Sequence, residues 1–180
     1  MRPPSDEELM LSVRDGEPDA FEQLVRRHQV EVWRVAYRFT GDAVEAEDLA
    51  QETFLRVFEA SARYRPAAAF RTYLYCILNR LCLDHVRKKR PAASDELSAV
   101  ADPSPSPEAA IHRKERDSLV QDAVSSLPPN QRMAVALRYS GGLGWTAIAE
   151  TMGVSPKAVE RLLARGRSTL EHLLAAFFKD

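Results

Sequence analysis

The chain has 180 residues, 45% of them hydrophobic and 28% charged, which is ordinary soluble globular material with room for one domain or two small ones and for no large core. Its 25 Lys and Arg against 26 Asp and Glu give a net charge of -1, so any attraction to nucleic acid must come from how charge is distributed along the chain. Nowhere do 18 apolar residues run together, and the N-terminal MRPPSDEELM has no apolar signal core, so no membrane insertion is expected and the chain reads as cytoplasmic.

Ser5 to Arg14 reads as a short helix in which Ser5 is the N-cap and Glu8, three residues on, completes a capping box. Gly16 and Pro18 break it. Asp19 then caps a helix of about five turns, in which Phe21, Leu24, Val25, His28, Val32, Val35, Ala36 and Phe39 recur at three- and four-residue steps. His28 lies on the buried side of that pattern and is expected to be a core histidine rather than a ligand. Gly41 ends the helix and Asp42 caps the next, so the two form an antiparallel hairpin with a very short connection. The second member, Asp42 to Ala60, has two faces. Ala46, Leu49, Ala50, Thr53, Phe54, Val57 and Phe58 make a core stripe, while Glu45, Asp48, Gln51, Glu52 and Glu59 spread over the other side. Taken alone, that acidic face reads as solvated surface.

Pro66 interrupts the chain and a helix restarts near Ala68, with a stripe of Phe70, Leu74, Ile77, Leu78, Leu81, Cys82 and His85. Along its other side run Arg63, Tyr64, Arg65, Arg71, Tyr73, Asn79 and Arg80, and it ends in the basic run Arg87, Lys88, Lys89, Arg90. Arginines interleaved with aromatics suit a single-stranded nucleic acid: guanidinium groups neutralise phosphates while rings accept stacked bases at about 1–3 kcal/mol each. The basic run also complements the negative C-terminal end of a helix dipole. Cys76 and Cys82, six apart in an apolar helical pattern, match neither a metal-ligand spacing nor a secreted disulfide framework and are expected to be reduced core thiols. No metal site and no cofactor is expected.

Pro91 to Glu108, PAASDELSAVADPSPSPE, has few bulky apolar residues and prolines at 103, 105 and 107, the composition of a partly extended linker. A second domain begins near Ala109, with one helix to about Ser126, a break at Pro128 and Pro129, and another from Asn130 to Tyr139 stopped by Gly141 and Gly142. No strand pattern appears. The expected fold class is therefore all-α, with two small helical domains, residues 1–90 and 109–180, joined by the linker 91–108.

Trp145 to Ala164, WTAIAETMGVSPKAVERLLA, has the layout of a helix-turn-helix. Ala149 is small where two helices approach, Gly153 permits a left-handed turn, and Ile148, Met152, Val154, Val159 and Leu162 fill the space between the helices. Ser155 and Pro156 supply the cap and first turn of the second helix. That helix presents Lys157, Ala158, Glu160 and Arg161 where side chains reach base edges in a major groove. Phosphate contacts fall to Arg165, Arg167 and Arg138.

Together these parts resemble the compact extracytoplasmic-function group of bacterial RNA polymerase sigma factors, which have a sigma-two domain, a linker and a sigma-four domain. The resemblance is carried by FEQLVRRHQVEVWRVAYRFTGDAVEAEDLAQETFLRVF in the first domain and by LPPNQRMAVALRYSGGLGWTAIAETMGVSPKAVERLLARGRSTL in the second. It implies a factor that binds core RNA polymerase and directs promoter-specific initiation without performing chemistry itself. In that family the D-x-x-Q-E pattern, here Asp48, Gln51 and Glu52, docks on the polymerase. The segment with Tyr64, Arg65, Phe70, Arg71, Tyr73 and Arg80, together with Arg87 and Lys88, is similar to the minus-ten surface, where a base of the melted strand is unstacked into a protein pocket. Ser155, Lys157, Ala158, Glu160, Arg161 and Arg165 correspond to the minus-thirty-five duplex contacts. The resemblance also implies an anti-sigma partner.

The chain departs from the family pattern at Tyr73, where Trp is usual, at Arg80, where Asn is usual, and at Gly144, where a Ser or Thr cap is usual. Glu160, Arg161 and Leu162 replace a basic, serine and arginine run, so the minus-thirty-five preference does not carry over. The rival reading is a polymerase-independent helix-turn-helix regulator with an N-terminal sensor or dimerisation bundle.

Overall fold

Local chemistry fixes where each helix starts and stops. In the computed structural model, which describes residues 2–89 and 117–175, helix α1 (Asp6–Arg14) opens on a complete capping box: Ser5 Oγ accepts from the Glu8 N–H, and the Glu8 carboxylate accepts from the Ser5 N–H. Helix α2 (Pro18–Thr40) begins two residues earlier than the sequence pattern suggests. Pro18 occupies its first turn, Glu17 stands at the N-cap without a side-chain bond, and Asp19 lies inside the turn rather than before it. Proline is favoured at that position because its fixed φ suits the first turn and it has no N–H to leave unsatisfied, so it sets the start of the helix in place of the expected cap. Gly41 closes α2 at φ 77°, a left-handed conformation that favours glycine. Asp42 Oδ1 then accepts from the N–H groups of Val44 and Glu45 at 2.8 and 2.9 Å and opens α3 (Ala43–Glu59).

A single 3-10 turn (Ser61–Arg63) leads to α4 (Phe70–Lys89), which starts two residues later than Ala68. The second domain comprises α5, described over 117–125, α6 (Pro129–Tyr139), α7 (Trp145–Met152) and α8 (Pro156–Leu174). All regular elements among the described residues are helical. The linker 91–108, the helix start at Ala109 and Arg90 lie outside the described residues.

In the first domain α2 and α3 form the antiparallel hairpin, α1 packs on α2, and α4 lies across α3 and α2. Leu24, Val32, Phe39, Val57, Phe70, Leu74 and Leu78 are fully enclosed or nearly so, and each such side chain contributes about 1.5–3 kcal/mol of burial. His28 is buried, as expected, with Nε2 2.7 Å from Asp6 Oδ2. Four core assignments change. Phe58 is 48% exposed and rests against Phe21 at the end of the hairpin. Val154 sits at the rim of the helix-turn-helix, and Leu163 rather than Leu162 is the more deeply buried. Cys82 is a buried thiol, but Cys76 is only half-buried.

The two domains are docked, and α4 and α2 form the junction, α4 touching α7 and α6 and α2 touching α6. Arg38 and Gln121 bond reciprocally: Arg38 Nη1 donates to Gln121 Oε1, and Gln121 Nε2 to the Arg38 carbonyl. Arg132 donates to the Phe39 carbonyl at 3.2 Å with its guanidinium over the Phe39 ring. Gly41 also fits here, since a Cβ would stand 3.0 Å from Ser125 Oγ.

Because Asp42 satisfies two otherwise unpaired N–H groups at the hairpin's turn, Asp42→Ala is expected to lower the stability of the first domain by about 1 kcal/mol, read as a shifted midpoint in denaturant unfolding with an unchanged slope.

Candidate nucleic-acid interface

The acidic side of α3 is a mixed face. Asp48 is exposed and makes no hydrogen bond or ion pair among the described residues, Gln51 Nε2 donates to Glu47 Oε1 at 2.9 Å, and Glu52 Oε1 accepts from Arg56 Nε at 2.7 Å. The i,i+4 spacing of the last two pairs keeps them on the helix surface, where each is worth only about 0.2–0.5 kcal/mol. Val44 and Leu55 stand on the same side, 66% and 49% exposed. Beside them a groove of about 480 Å³ runs between α2 and α3, lined by Val25, Val30, Trp33, Ala50, Gln51 and Phe54. Sequence reasoning missed this apolar component, although Val44 and Leu55 fall at the helical positions of the acids. Glu45 does not belong to the face: it pairs with His85 Nε2 at 2.9 Å and with Lys89 Nζ, tying the start of α3 to the end of α4.

The residues expected to meet melted DNA divide into three groups. Tyr64 and Phe70 are core residues in this conformation, not surface ones. Phe70 packs on His28 at 5.6 Å between ring centroids, and Tyr64 meets Tyr73 edge-on at 5.4 Å, so these rings turn inward to fill the space behind the start of α4. Burial, followed by the nearby Glu7 carboxylate, pushes the Tyr64 phenol up to about 12, and its hydroxyl has no partner among the described residues. Arg71 is engaged at the junction: its Nη2 donates to the Gly141 carbonyl at 2.7 Å and to Glu31 Oε2 at 3.1 Å. Tyr73 is half-buried, while Arg65, Arg80, Arg87 and Lys88 are exposed. Arg87 makes only a loose exposed pair with Asp84, which leaves its charge available.

Tyr64, Arg65, Thr72, Tyr73 and Cys76 line a cavity of about 560 Å³ whose floor is the run Ala67, Ala68, Ala69. Three methyl side chains leave that space open. Glu150, from α7, closes its far wall, and the Glu150 carbonyl lies 3.8 Å from Cys76 Sγ.

The helix-turn-helix forms as the sequence suggests. Gly153 adopts φ 65° at the turn, Val154 N donates to the Ala149 carbonyl at 3.0 Å, and Ser155 Oγ caps α8 by accepting from the Ala158 N–H at 3.2 Å. The Ser155 hydroxyl accepts at the cap and keeps its O–H donor on an exposed surface. Lys157, Glu160, Arg161 and Arg165 are exposed and Ala158 half-buried. Of the other expected phosphate ligands, Arg167 donates to the Tyr139 hydroxyl and Arg138 to the Leu143 carbonyl, which aims both guanidinium groups from the flank of α8. Gly144 starts α7 without a side-chain cap. Among the described residues no three His, Cys, Asp or Glu side chains are placed to hold a metal ion.

The families described as Sigma-70 region 2 and Sigma-70, region 4 match residues 24–92 and 118–170. The ECF RNA polymerase sigma factor SigE of Mycolicibacterium smegmatis is 37% identical over 181 residues, an alignment spanning 96% of this chain and 70% of that protein. Among solved structures, CnrH in complex with the cytosolic domain of CnrY superposes with a TM-score of 0.75 at 26% identity, covering 96% of this chain and 99% of that one. The sigma factor RpoE of Bartonella quintana, solved in complex with the anti-sigma factor NepR, shares the fold at a TM-score of 0.70 and 19% identity, over 86% and 96% of the two chains.

Arg71 carries a charge-assisted bond to a carbonyl of the other domain but is partly solvated, so Arg71→Ala is expected to weaken docking by about 1 kcal/mol. A larger radius of gyration in small-angle scattering checks this, and an unchanged profile would assign Arg71 no part in holding the domains together.

Proposed function

The chain belongs to the extracytoplasmic-function sigma factors of the sigma-70 family, which bind core RNA polymerase and direct promoter-specific initiation, and on that premise we propose how its parts divide the work. Residues 1–90 dock on polymerase and hold melted minus-ten DNA, residues 109–180 grip the minus-thirty-five duplex, and the linker 91–108 spans between them. The observation that carries this reading is the composition of the α3 face. Asp48, Gln51 and Glu52 stand in solvent beside exposed Val44 and Leu55, in one chain with a recognition helix whose Lys157, Glu160 and Arg161 are also exposed. Acids that meet basic residues of the polymerase steer the encounter, and the apolar side chains between them supply the burial that holds it.

The alanine-floored cavity is the place for an unstacked minus-ten base, with Tyr73 as the ring beside it and Arg65 and Arg80 as phosphate or base-edge partners. Tyr64 and Phe70 act from behind, as the packed support of that site. In the docked conformation Glu150 forms one wall of the cavity, and a carboxylate there opposes a DNA strand by like charge. The second domain therefore swings off α4 before both promoter elements are held. Arg71 is released by the same motion and becomes available to DNA.

The chain acts in the cytoplasm with polymerase and does no chemistry of its own. No helix among the described residues is long and apolar enough to cross a membrane. CnrH and RpoE were each solved with a protein partner, and the apolar groove between α2 and α3 suits an anti-sigma segment that competes with polymerase for this side of the domain.

Run-off transcription with purified core polymerase tests this reading. The intact chain is expected to give promoter-dependent transcripts, and Asp48→Ala with Glu52→Ala to abolish most of them while a pull-down reports about tenfold weaker polymerase binding. Absence of transcripts from every promoter fragment, with tight polymerase-free duplex binding, would favour the stand-alone regulator. Arg161→Ala is expected to relax one minus-thirty-five position by about 1–3 kcal/mol if it reads a base; a uniform loss over all sequences in a binding-site selection assigns it to phosphate.

A further inference from the structure

The loop that floors the minus-ten cavity turns on one internal bond, from the Ala67 N–H to the Arg65 carbonyl at 2.8 Å, and lacks a side chain to cap the helix that follows. Arg65 to Ala69 reads RPAAA, with no Ser, Thr, Asp or Asn to cap α4, and the orphan N–H groups at the start of that helix need an acceptor. One acceptor comes from the other end of the chain: the Phe70 N–H donates to Glu7 Oε1 at 2.8 Å, across 63 residues. A carboxylate at a helix N-terminus is also favoured by the helix dipole.

Glu7 is itself held independently of the loop. Its neighbours anchor the first turn of α1 to α2: Asp6 Oδ1 accepts from Arg27 Nη1 at 2.9 Å, and Asp6 Oδ2 lies 2.7 Å from His28 Nε2. The capping box at Ser5 and Glu8 fixes the same turn from the other side. Phe70 in turn sits in a ring cluster with Tyr64 and Tyr73, at centroid distances of 6.4 and 6.3 Å. A constraint on the Phe70 backbone is therefore passed to the Tyr73 ring at the cavity edge.

We propose that Glu7 is a positioning residue for promoter melting: by capping α4 in trans it sets the geometry of the loop and of Tyr73, without touching DNA. This rests on the reading of the cavity as the minus-ten site, and the experiment separates the two. Full-length variants are assembled with core polymerase on a promoter fragment, and opening is read as permanganate reactivity of minus-ten thymines, with polymerase affinity and minus-thirty-five duplex binding measured alongside. Glu7→Ala is expected to lower opening about fivefold while leaving both affinities as they were. Glu7→Gln, whose side-chain carbonyl still accepts from the Phe70 N–H, is expected to stay within about twofold of the intact chain.

If Glu7→Ala opens normally while Tyr73→Ala is impaired, the role of Glu7 falls and the cavity reading stands. If neither variant is impaired, the cavity reading falls as well. Loss of polymerase affinity in step with opening would make Glu7 a general stability residue and overturn the proposal. Should Glu7→Ala fail to fold, Glu7→Asp, which withdraws the carboxylate by one methylene, is compared with Glu7→Gln: a defect in the former alone supports the proposal, and equal behaviour of the two overturns it.

Discussion

The arrangement of this molecule depends on one helix packed against both domains, within a core that is continuous between them. α4 buries Phe70, Leu74, Leu78 and Cys82 at four-residue steps against the first domain, and on another side buries Thr72, Tyr75 and Asn79. Only the strip carrying Tyr73 and Arg80 remains near solvent. A helix enclosed in this way has little freedom to rotate or shift, so the position of its first turn determines where the cavity stands and the position of its last turn determines where Lys89 meets Glu45. The cost is that its polar residues are enclosed too. Asn79 Oδ1 and the Tyr75 hydroxyl are buried without a partner among the described residues, as is Thr151 Oγ1 on α7, and each unmet group subtracts about 1–3 kcal/mol from the stability of the arrangement that buries it.

That cost bears on how the domains separate. Beside apolar packing that runs continuously from one domain into the other, the junction has arginine and glutamine side chains reaching backbone carbonyls: Arg132 to Phe39, Gln121 to Arg38, Arg71 to Gly141. Such bonds are readily exchanged for water, and the buried atoms left unpaired gain partners when water enters. Contacts of this polar kind favour relative motion over permanent association. Burial lowers the pKa of Arg132, whose guanidinium bonds the Ser125 and Leu127 carbonyls of its own domain as well as the Phe39 carbonyl. The docked form is thus held in part by contacts that water can replace.

Much of this was legible in the sequence because it is local. The capping box at Ser5, the cap at Asp42, the left-handed glycines at 41 and 153 and the cap at Ser155 each depend on a few adjacent residues. The acidic face of α3 and the exposed half of α8 also follow from periodicity alone. What the pattern misplaced depends on contacts between distant segments. Tyr64 stands among arginines and so reads as a nucleic-acid surface, yet its ring packs edge-on against Phe70 and Tyr73 and is buried, whereas Phe70 is buried as its place in the apolar stripe implies and only the resemblance puts it on the DNA surface. Asn79 reads as solvent-facing because it lies among arginines on the polar side of α4, and it is buried in the structure. The cap on α4 could not be read from its own loop at all, since its acceptor, Glu7, lies near the start of the chain.

Charge pairing then separates the acids of α3 into those that hold the fold and those left for a partner. Glu45 is spent on His85 and Lys89, with its side chain only 23% exposed, so an approaching basic surface would have to break a tertiary contact to use it. Glu52 is committed only to Arg56 on its own helix, an i,i+4 pair of about 0.3–0.5 kcal/mol, which a bidentate partner can replace at little cost. Asp48 has nothing to give up. The same rule applies at the other end of the domain, where Lys89 is occupied by Glu45 while exposed Lys88 and Arg80 make no ion pair among the described residues. Formal charge along the chain is nearly balanced, but the charge left after internal pairing is not: it is acidic on the exposed side of α3 and basic along the solvent strip of α4. One small domain can therefore present one face to a basic protein and another to a phosphate backbone.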